Sequence, residues 1–160
     1  MRLKVVSMGI YDTDQETVTL KIKRIEPEAI IPEYKTKGAC GMDICALNGG
    51  MIYPGGIGLV KTGLMFEIPE GYEVQIRPRS GLALKHGVTV LNSPGTIDSD
   101  YRGPIGVILV NHSTEKFKFE AGERIAQIIL SKAYQAKIEV VAAVNETERG
   151  EGGFGSTGTK

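Results

Sequence analysis

Asp98, Asp100, Tyr101 and Arg102 lie within five residues of one another, in the stretch Asn-Ser-Pro-Gly-Thr-Ile-Asp-Ser-Asp-Tyr-Arg-Gly-Pro-Ile-Gly-Val that runs from Asn92 to Val107. A carboxylate in such a segment can orient a water and accept its developing proton. Val88 and Val90 before it, and Ile105, Val107 and Leu109 after it, predict two apolar strands with this polar segment as the turn between them. A plain hairpin needs only a couple of turn residues, so the stretch carries more chemistry than turning requires. Its plainer reading is a polar surface loop, because loops are generically polar.

Three further segments place polar groups where they need a reason. Gly38-Ala-Cys-Gly-Met-Asp-Ile-Cys-Ala46 sets one acid, Asp43, among apolar residues of an expected strand. It is either an edge-strand acid facing water or a buried one that must find partners, since an unpaired buried carboxylate is costly. Pro78-Arg-Ser-Gly-Leu-Ala83 opens a predicted helix with a guanidinium, a hydroxyl and a glycine. That start suits an anion held by backbone N–H groups, and it equally suits an ordinary helix capped by Ser80. In Gly122-Glu-Arg-Ile-Ala-Gln-Ile-Ile-Leu130, Gln127 is a lone polar side chain in an apolar run, and a buried Gln needs partners in the protein or in a ligand. The C-terminal Arg149-Gly-Glu-Gly-Gly-Phe-Gly-Ser-Thr-Gly158 contains G-x-G-x-x-G, but no ribose-binding acid follows, and Lys160 comes after Thr rather than before it. The tail reads either as a disordered chain end or as a flexible anion-binding segment with one aromatic.

Together these segments resemble, in order, the five motifs of the trimeric dUTPases, which hydrolyse dUTP, and on them the chain is identified as a member of that family. The resemblance covers roughly Gly38 to Gly158, with Met42 where the family usually has Tyr or Phe and Cys40 where it usually has Ala. It implies hydrolysis of dUTP to dUMP and pyrophosphate, limiting uracil incorporation into DNA and supplying dUMP for thymidylate synthesis. Asp98 would be the water-activating carboxylate and Asp100 structural or charge-tuning. Asp43 would hold, through a water, an Mg²⁺ bound mainly by the phosphates. Arg79, Ser80 and Gly81 would contact the triphosphate, and Gln127 the phosphate and water region. Uracil would enter the hairpin between Val90 and Tyr101, against Asn92, Gly95, Thr96, Ile97 and backbone groups. Tyr101 would lie against the deoxyribose and exclude UTP. The arm would close with Phe154 and Gly155 over the uracil and with Arg149, Ser156 and Thr157 at the distal phosphates. The family's site is shared among three subunits, so a homotrimer with exchange of C-terminal arms is implied.

The elements that must carry these groups are strands. Val18, Leu20 and Ile22 alternate with polar residues, and so do Val74 and Ile76, Phe117 and Phe119, and Ile138, Val140, Ala142 and Val144. Turn signals at Gly49-Gly50, Pro54-Gly-Gly56 and Pro69-Glu-Gly71 recur at short spacing, which predicts an all-β sandwich or barrel. One short helix is expected from Ser80 to His86, ended by Gly87. Ile125 to Leu130, apolar on both faces, predicts a central covered strand. With the resemblance, the expected fold is a jelly-roll-like all-β domain over 1–145, followed by a glycine-rich arm over 146–160.

A chain of 160 residues is the size of one such domain. Positive and negative side chains balance at 19 each, which excludes a general polyanion binder, so no nucleic-acid polymer is expected as partner. The apolar run from Ile105 to Val110 is too short to span a bilayer, and Met1 to Ile10 lacks the apolar core of a secretory signal. Two cysteines make no disulfide framework, so free thiols in a reducing cytoplasm are expected. Two other readings stand beside the main one: a dCTP deaminase-like enzyme of the same fold, and a nucleotide-gated regulatory binding protein using Ser7–Glu16.

Overall fold

Alternation becomes pairing along most of the chain. The computed structural model describes residues 17–156; the Ser7–Glu16 stretch, Thr157 and Gly158 lie outside the described residues. Eleven strands and one helix follow in order among them: β1 (Lys21–Arg24), β2 (Met42–Cys45), β3 (Gly50–Ile52), β4 (Ile57–Lys61), β5 (Leu64–Glu67), β6 (Tyr72–Arg77), α1 (Ser80–His86), β7 (Val88–Val90), β8 (Gly95–Ile97), β9 (Gly106–Asn111), β10 (Phe117–Phe119) and β11 (Arg124–Lys132). They form a jelly-roll-like all-β fold whose largest sheet runs β2-β11-β6-β8, with a second sheet β4-β9-β7 and the pairs β1-β5 and β10-β3. Every described pairing is antiparallel. Inward-facing residues, among them Ile44, Leu64, Phe66, Val74, Leu109, Ile125 and Ile128, are almost wholly buried in one cluster. Each such side chain contributes about 1.5–3 kcal/mol through removal from water.

β11 is central, between β2 and β6; Ile125, Ala126 and Ile128 are buried, while Ile129 and Leu130 are half-buried in the chain. The expected hairpin is partly as read. β7 pairs with β9, Val90 facing Leu109, but the segment between them is not simply a turn. Gly95–Ile97 crosses to the other sheet and joins β6 as β8. The helix ends as expected, with Gly87 at φ 62 bonding back to Ala83 and Leu82. Its start differs from expectation: Arg79 is the N-cap and Ser80 the first helical residue, with no side-chain cap. The carbonyl of Arg79 receives the N–H groups of Leu82 and Ala83, the first bonds of the helix. The expected strand over Ile138 to Val144 does not form. Ile138, Val140 and Val144 are 87%, 95% and 85% exposed, because no sheet edge of the same chain receives them.

One buried amide fastens the end of β9. Asn111 is fully buried; its Nδ2 donates to the carbonyls of Ile52 and Glu115 at 3.0 and 2.7 Å. Its Oδ1 accepts from the N–H and hydroxyl of Ser113 at 2.9 and 2.8 Å. Asn111→Leu keeps the branched shape, is somewhat larger, and strands these groups without water, so it should destabilise the protein by about 2–4 kcal/mol, read from urea unfolding. A loss under half a kcal/mol would mean the network does not hold this corner.

Candidate functional site

β2 brings Asp43 to a sheet position where it is 8% exposed, so the water-facing reading fails and the buried one holds. Two arginines meet it. Arg124 Nη1 donates to Oδ2 at 3.0 Å, and Arg79 Nε lies 3.2 Å from Oδ1. Arg79 also donates from Nη1 to the backbone oxygen of Arg124 at 2.8 Å, which ties the start of α1 to the start of β11. Oδ1 is enclosed and makes no hydrogen bond; it faces the Arg79 guanidinium as an ion pair. Among the described residues no three His, Cys, Asp or Glu side chains converge. The described residues therefore build no all-protein cage for a metal ion. Nearby Cys45 is buried; its thiol is pushed up by burial and then by the Asp43 charge, and both cysteines are free.

Arg124 is the residue that sequence reasoning passed over; its one signal is a basic residue, next to Glu123, opening an apolar strand. Arg124→Ala should cost about 1–2 kcal/mol in urea unfolding, below the figure for a fully buried pair because Arg79 remains and Arg124 is 48% exposed. An unchanged midpoint would show that Arg79 alone satisfies Asp43.

Gln127 is half-buried and stands directly across from Asp43 on β2 and from Arg77 on β6. Beside this row lies the entry to α1, where Ser80 and Gly81 are exposed and a Cβ at Gly81 would meet nothing within 4 Å. Together Asp43, Arg79, Ser80, Gly81 and Gln127 form one polar corner.

Asp98 lies elsewhere. It follows β8, where Thr96 faces Gln75 and Ile97 faces Val74, so the chain leaves the sheet beside Glu73. Asp98 is exposed, and its carbonyl accepts the N–H of Tyr101 at 3.2 Å, closing a turn. Arg102 Nη1 donates to the carbonyls of Ser99 and Tyr101 at 2.6 and 2.9 Å and staples the same loop. A cleft of about 210 Å³ opens here, lined by Thr96, Ile97, Asp98, Tyr101, Pro104, Ile105 and Gly106. A larger one of about 820 Å³ lies on the other side of Asp98, with Glu73, Asp100 and Arg102 in its wall. On the way into β8, a Cβ at Gly95 would approach Asn92 Nδ2 to 3.1 Å and Ile76 Cβ to 3.4 Å. The Asn92 amide thus lies over bare backbone, next to a cis Ser93–Pro94 bond.

The two groups are far apart in one chain. From the Asp43 row to the Asp98 end is four residues along β6 and three strands across the sheet, roughly 20 Å at ordinary strand spacings. Neither cleft beside Asp98 includes Asp43, Arg79, Ser80, Gly81 or Gln127.

The described part of the tail, to Ser156, joins neither group. Gly150 N–H bonds Thr147, Gly152 N–H bonds Arg149 and Ser156 N–H bonds Gly153, so it is a run of turns. Arg149 Nε donates to the carbonyl of Gly152 at 2.7 Å, within the same segment. Phe154 is fully exposed at φ 49, and Gly155 follows at φ 86.

The family model described as dUTPase matches residues 27–158. The deoxyuridine 5'-triphosphate nucleotidohydrolase of Nautilia profundicola is 59% identical over 139 residues, 87% of this chain and 98% of its own. That of Wolinella succinogenes is 51% identical over 146 residues, 91% of this chain and 98% of its own. Among solved structures, a mutant Staphylococcus bacteriophage 80alpha dUTPase with dUpNHpp superposes at a TM-score of 0.83 with 27% identity, covering 89% of this chain and all of that one. A mutant dUTPase of phage phi11 of S. aureus, described with a structural Mg(II) ion, shares the fold at a TM-score of 0.73 and 22% identity, over 79% of this chain and 98% of that one.

Proposed function

The chain belongs to the dUTPase family, and on that premise we propose how its residues divide the hydrolysis of dUTP. It is a dUTP diphosphatase, and the products are dUMP and pyrophosphate. The observation that carries the assignment of roles is the exposed carboxylate of Asp98 at the rim of a cleft walled by Thr96, Ile97 and Tyr101. Asp98 orients a water and accepts its proton as the water oxygen bonds to the α-phosphorus. The bond to the bridging oxygen breaks, and pyrophosphate leaves with the electron pair.

Asn92, Gly95, Thr96, Ile97 and the backbone near them receive the uracil. Fixed donors and acceptors there pair with its O4 and N3–H and mispair with cytosine. Tyr101 lies against the deoxyribose. Ser80, Gly81 and Arg79 steady the phosphate chain, and Arg79 does so while its Nε and Nη1 hold Asp43 and the Arg124 carbonyl. Mg²⁺ brought on the triphosphate supplies charge neutralisation for the leaving pyrophosphate. Asp43, buried at this corner, would hold it through a water. Gln127 serves the phosphates and water, and the arm (Arg149, Phe154, Gly155, Ser156, Thr157) closes over the nucleotide.

The working unit is a homotrimer. Asp43 and Asp98 are roughly 20 Å apart in one chain by strand spacing, so the two would meet at one nucleotide by coming from different chains. The unpaired alternation of Ile138 to Val144, with Val140 95% exposed, supports exchange of that segment onto a neighbouring subunit. The domain is then 1–145 and the arm 146–160. No helix among the described residues is long and apolar enough to cross a membrane, and a cytoplasmic site of action fits the free thiols.

The names of the relatives favour dUTP hydrolysis over the deaminase and regulatory readings. Pyrophosphate release with dUTP, dCTP, dTTP and UTP side by side tests the assignment. dUTP alone should turn over at an appreciable rate; ammonia from dCTP would replace it with the deaminase reading.

A further inference from the structure

Gly103 is a glycine without a backbone reason. It is absent from the positive-φ residues of the chain, so other residue types could adopt its conformation. What a side chain there would meet is Tyr101. An ideal Cβ at position 103 would lie 2.5 Å from Cζ and 2.9 Å from Cε2 of that ring, and closer still to its hydroxyl. The ring lies over bare backbone, with Oη donating to the carbonyl of Pro104 at 3.2 Å. Both Tyr101 and Pro104 line the cleft beside Asp98. The ring is 45% exposed, so the core does not fix its tilt. The seat at Gly103 and Pro104 does.

We propose that Gly103 is a positioning residue for sugar selection: the missing side chain sets the tilt of Tyr101, and that tilt sets the preference for deoxyribose over ribose. The proposal rests on the reading that Tyr101 lies against the sugar. A methyl at position 103 lifts the ring from the Pro104 carbonyl and moves the wall that a 2′-hydroxyl would strike. The disturbance falls on the free end of an exposed side chain, so the fold is little affected.

The test is a double-mutant cycle on kcat/KM for dUTP and UTP, with melting temperatures measured alongside. Gly103→Ala should lower the dUTP-to-UTP preference about tenfold or more, the scale of a misplaced methylene in a shaped pocket. kcat for dUTP and the melting temperature should stay near those of the parent. Tyr101→Ala should lower the preference at least as far, and adding Gly103→Ala to it should change nothing further. An unchanged preference in Gly103→Ala, with a lowered one in Tyr101→Ala, overturns the proposal and leaves the role of Tyr101 standing. An unchanged preference in Tyr101→Ala overturns that role itself. A further loss in the double variant shows that Gly103 acts by another route, which also overturns the proposal.

Discussion

Asp98→Asn should bind dUTP with little change and turn it over roughly 10²–10⁴-fold more slowly, the range for loss of a general base. The substitution keeps the shape of the side chain and removes its basicity. The loop should survive it, because its fastenings are the Asp98 carbonyl, the Tyr101 N–H and the Arg102 guanidinium rather than the Asp98 carboxylate. Asp100 is the natural competitor. Both acids border the larger cleft, but only Asp98 borders the smaller one that Thr96, Ile97 and Tyr101 enclose. Single-turnover pyrophosphate release, with calorimetric binding of a non-hydrolysable analogue, separates chemistry from affinity. If Asp98→Asn runs at near the parent rate while Asp100→Asn is dead, the wrong carboxylate has been chosen.

Removing Arg149 to Lys160 should leave the fold intact and slow hydrolysis by about 10²-fold or more. No core residue is lost, since the buried cluster ends at Ile128, with Leu130 packed against it. What goes is a segment whose described turns close on themselves and whose one aromatic, Phe154, touches water on all sides. With nucleotide present, stacking on a base contributes about 1–3 kcal/mol and an arginine–phosphate contact about 1.5–3. Ordering the glycine-rich backbone opposes part of this. Arg149 must also exchange its bond to the Gly152 carbonyl for one to phosphate. Amide hydrogen exchange should therefore show fast exchange over the tail in the free protein and protection with the analogue. Equal protection in both states, or full activity of the truncated chain, would remove the arm from the mechanism.

Much of the scaffold was legible because alternation and burial report the same thing. Val74 and Ile76, or Phe117 and Phe119, announce their strands and their inward faces in the sequence alone. Gly87 marked its helix end because a left-handed φ favours glycine. β8 was not legible. Three residues, Gly-Thr-Ile, are too few to show a period, and the sheet they join is set by β6 rather than by their neighbours. Arg124 was missed because its partner Asp43 is 81 residues away and no local pattern links them. Ser80 suggests a cap since a serine before an apolar turn usually is one; the helix starts one residue earlier than that, with Arg79 in the cap position and no side-chain cap. Ile138 to Val144 shows the opposite limit. Alternation states which face a strand would bury, but not whether the same chain supplies the sheet.

The distance between the Asp43 corner and the Asp98 loop bears on how activity scales with protein. If each site takes its acid from one chain and its phosphate grip from another, a folded chain alone is not a unit of catalysis. Rate per chain should then fall on dilution below the dissociation constant of the assembly, with secondary structure unchanged. Defects also cease to be private. A chain without the Asp98 carboxylate still lends its intact Asp43 corner to a neighbour, and a chain damaged at that corner still lends Asp98. Two inactive populations allowed to exchange subunits would hold some complete sites, and a chain damaged at one group only, mixed with a sound one, would leave the activity per sound chain unchanged.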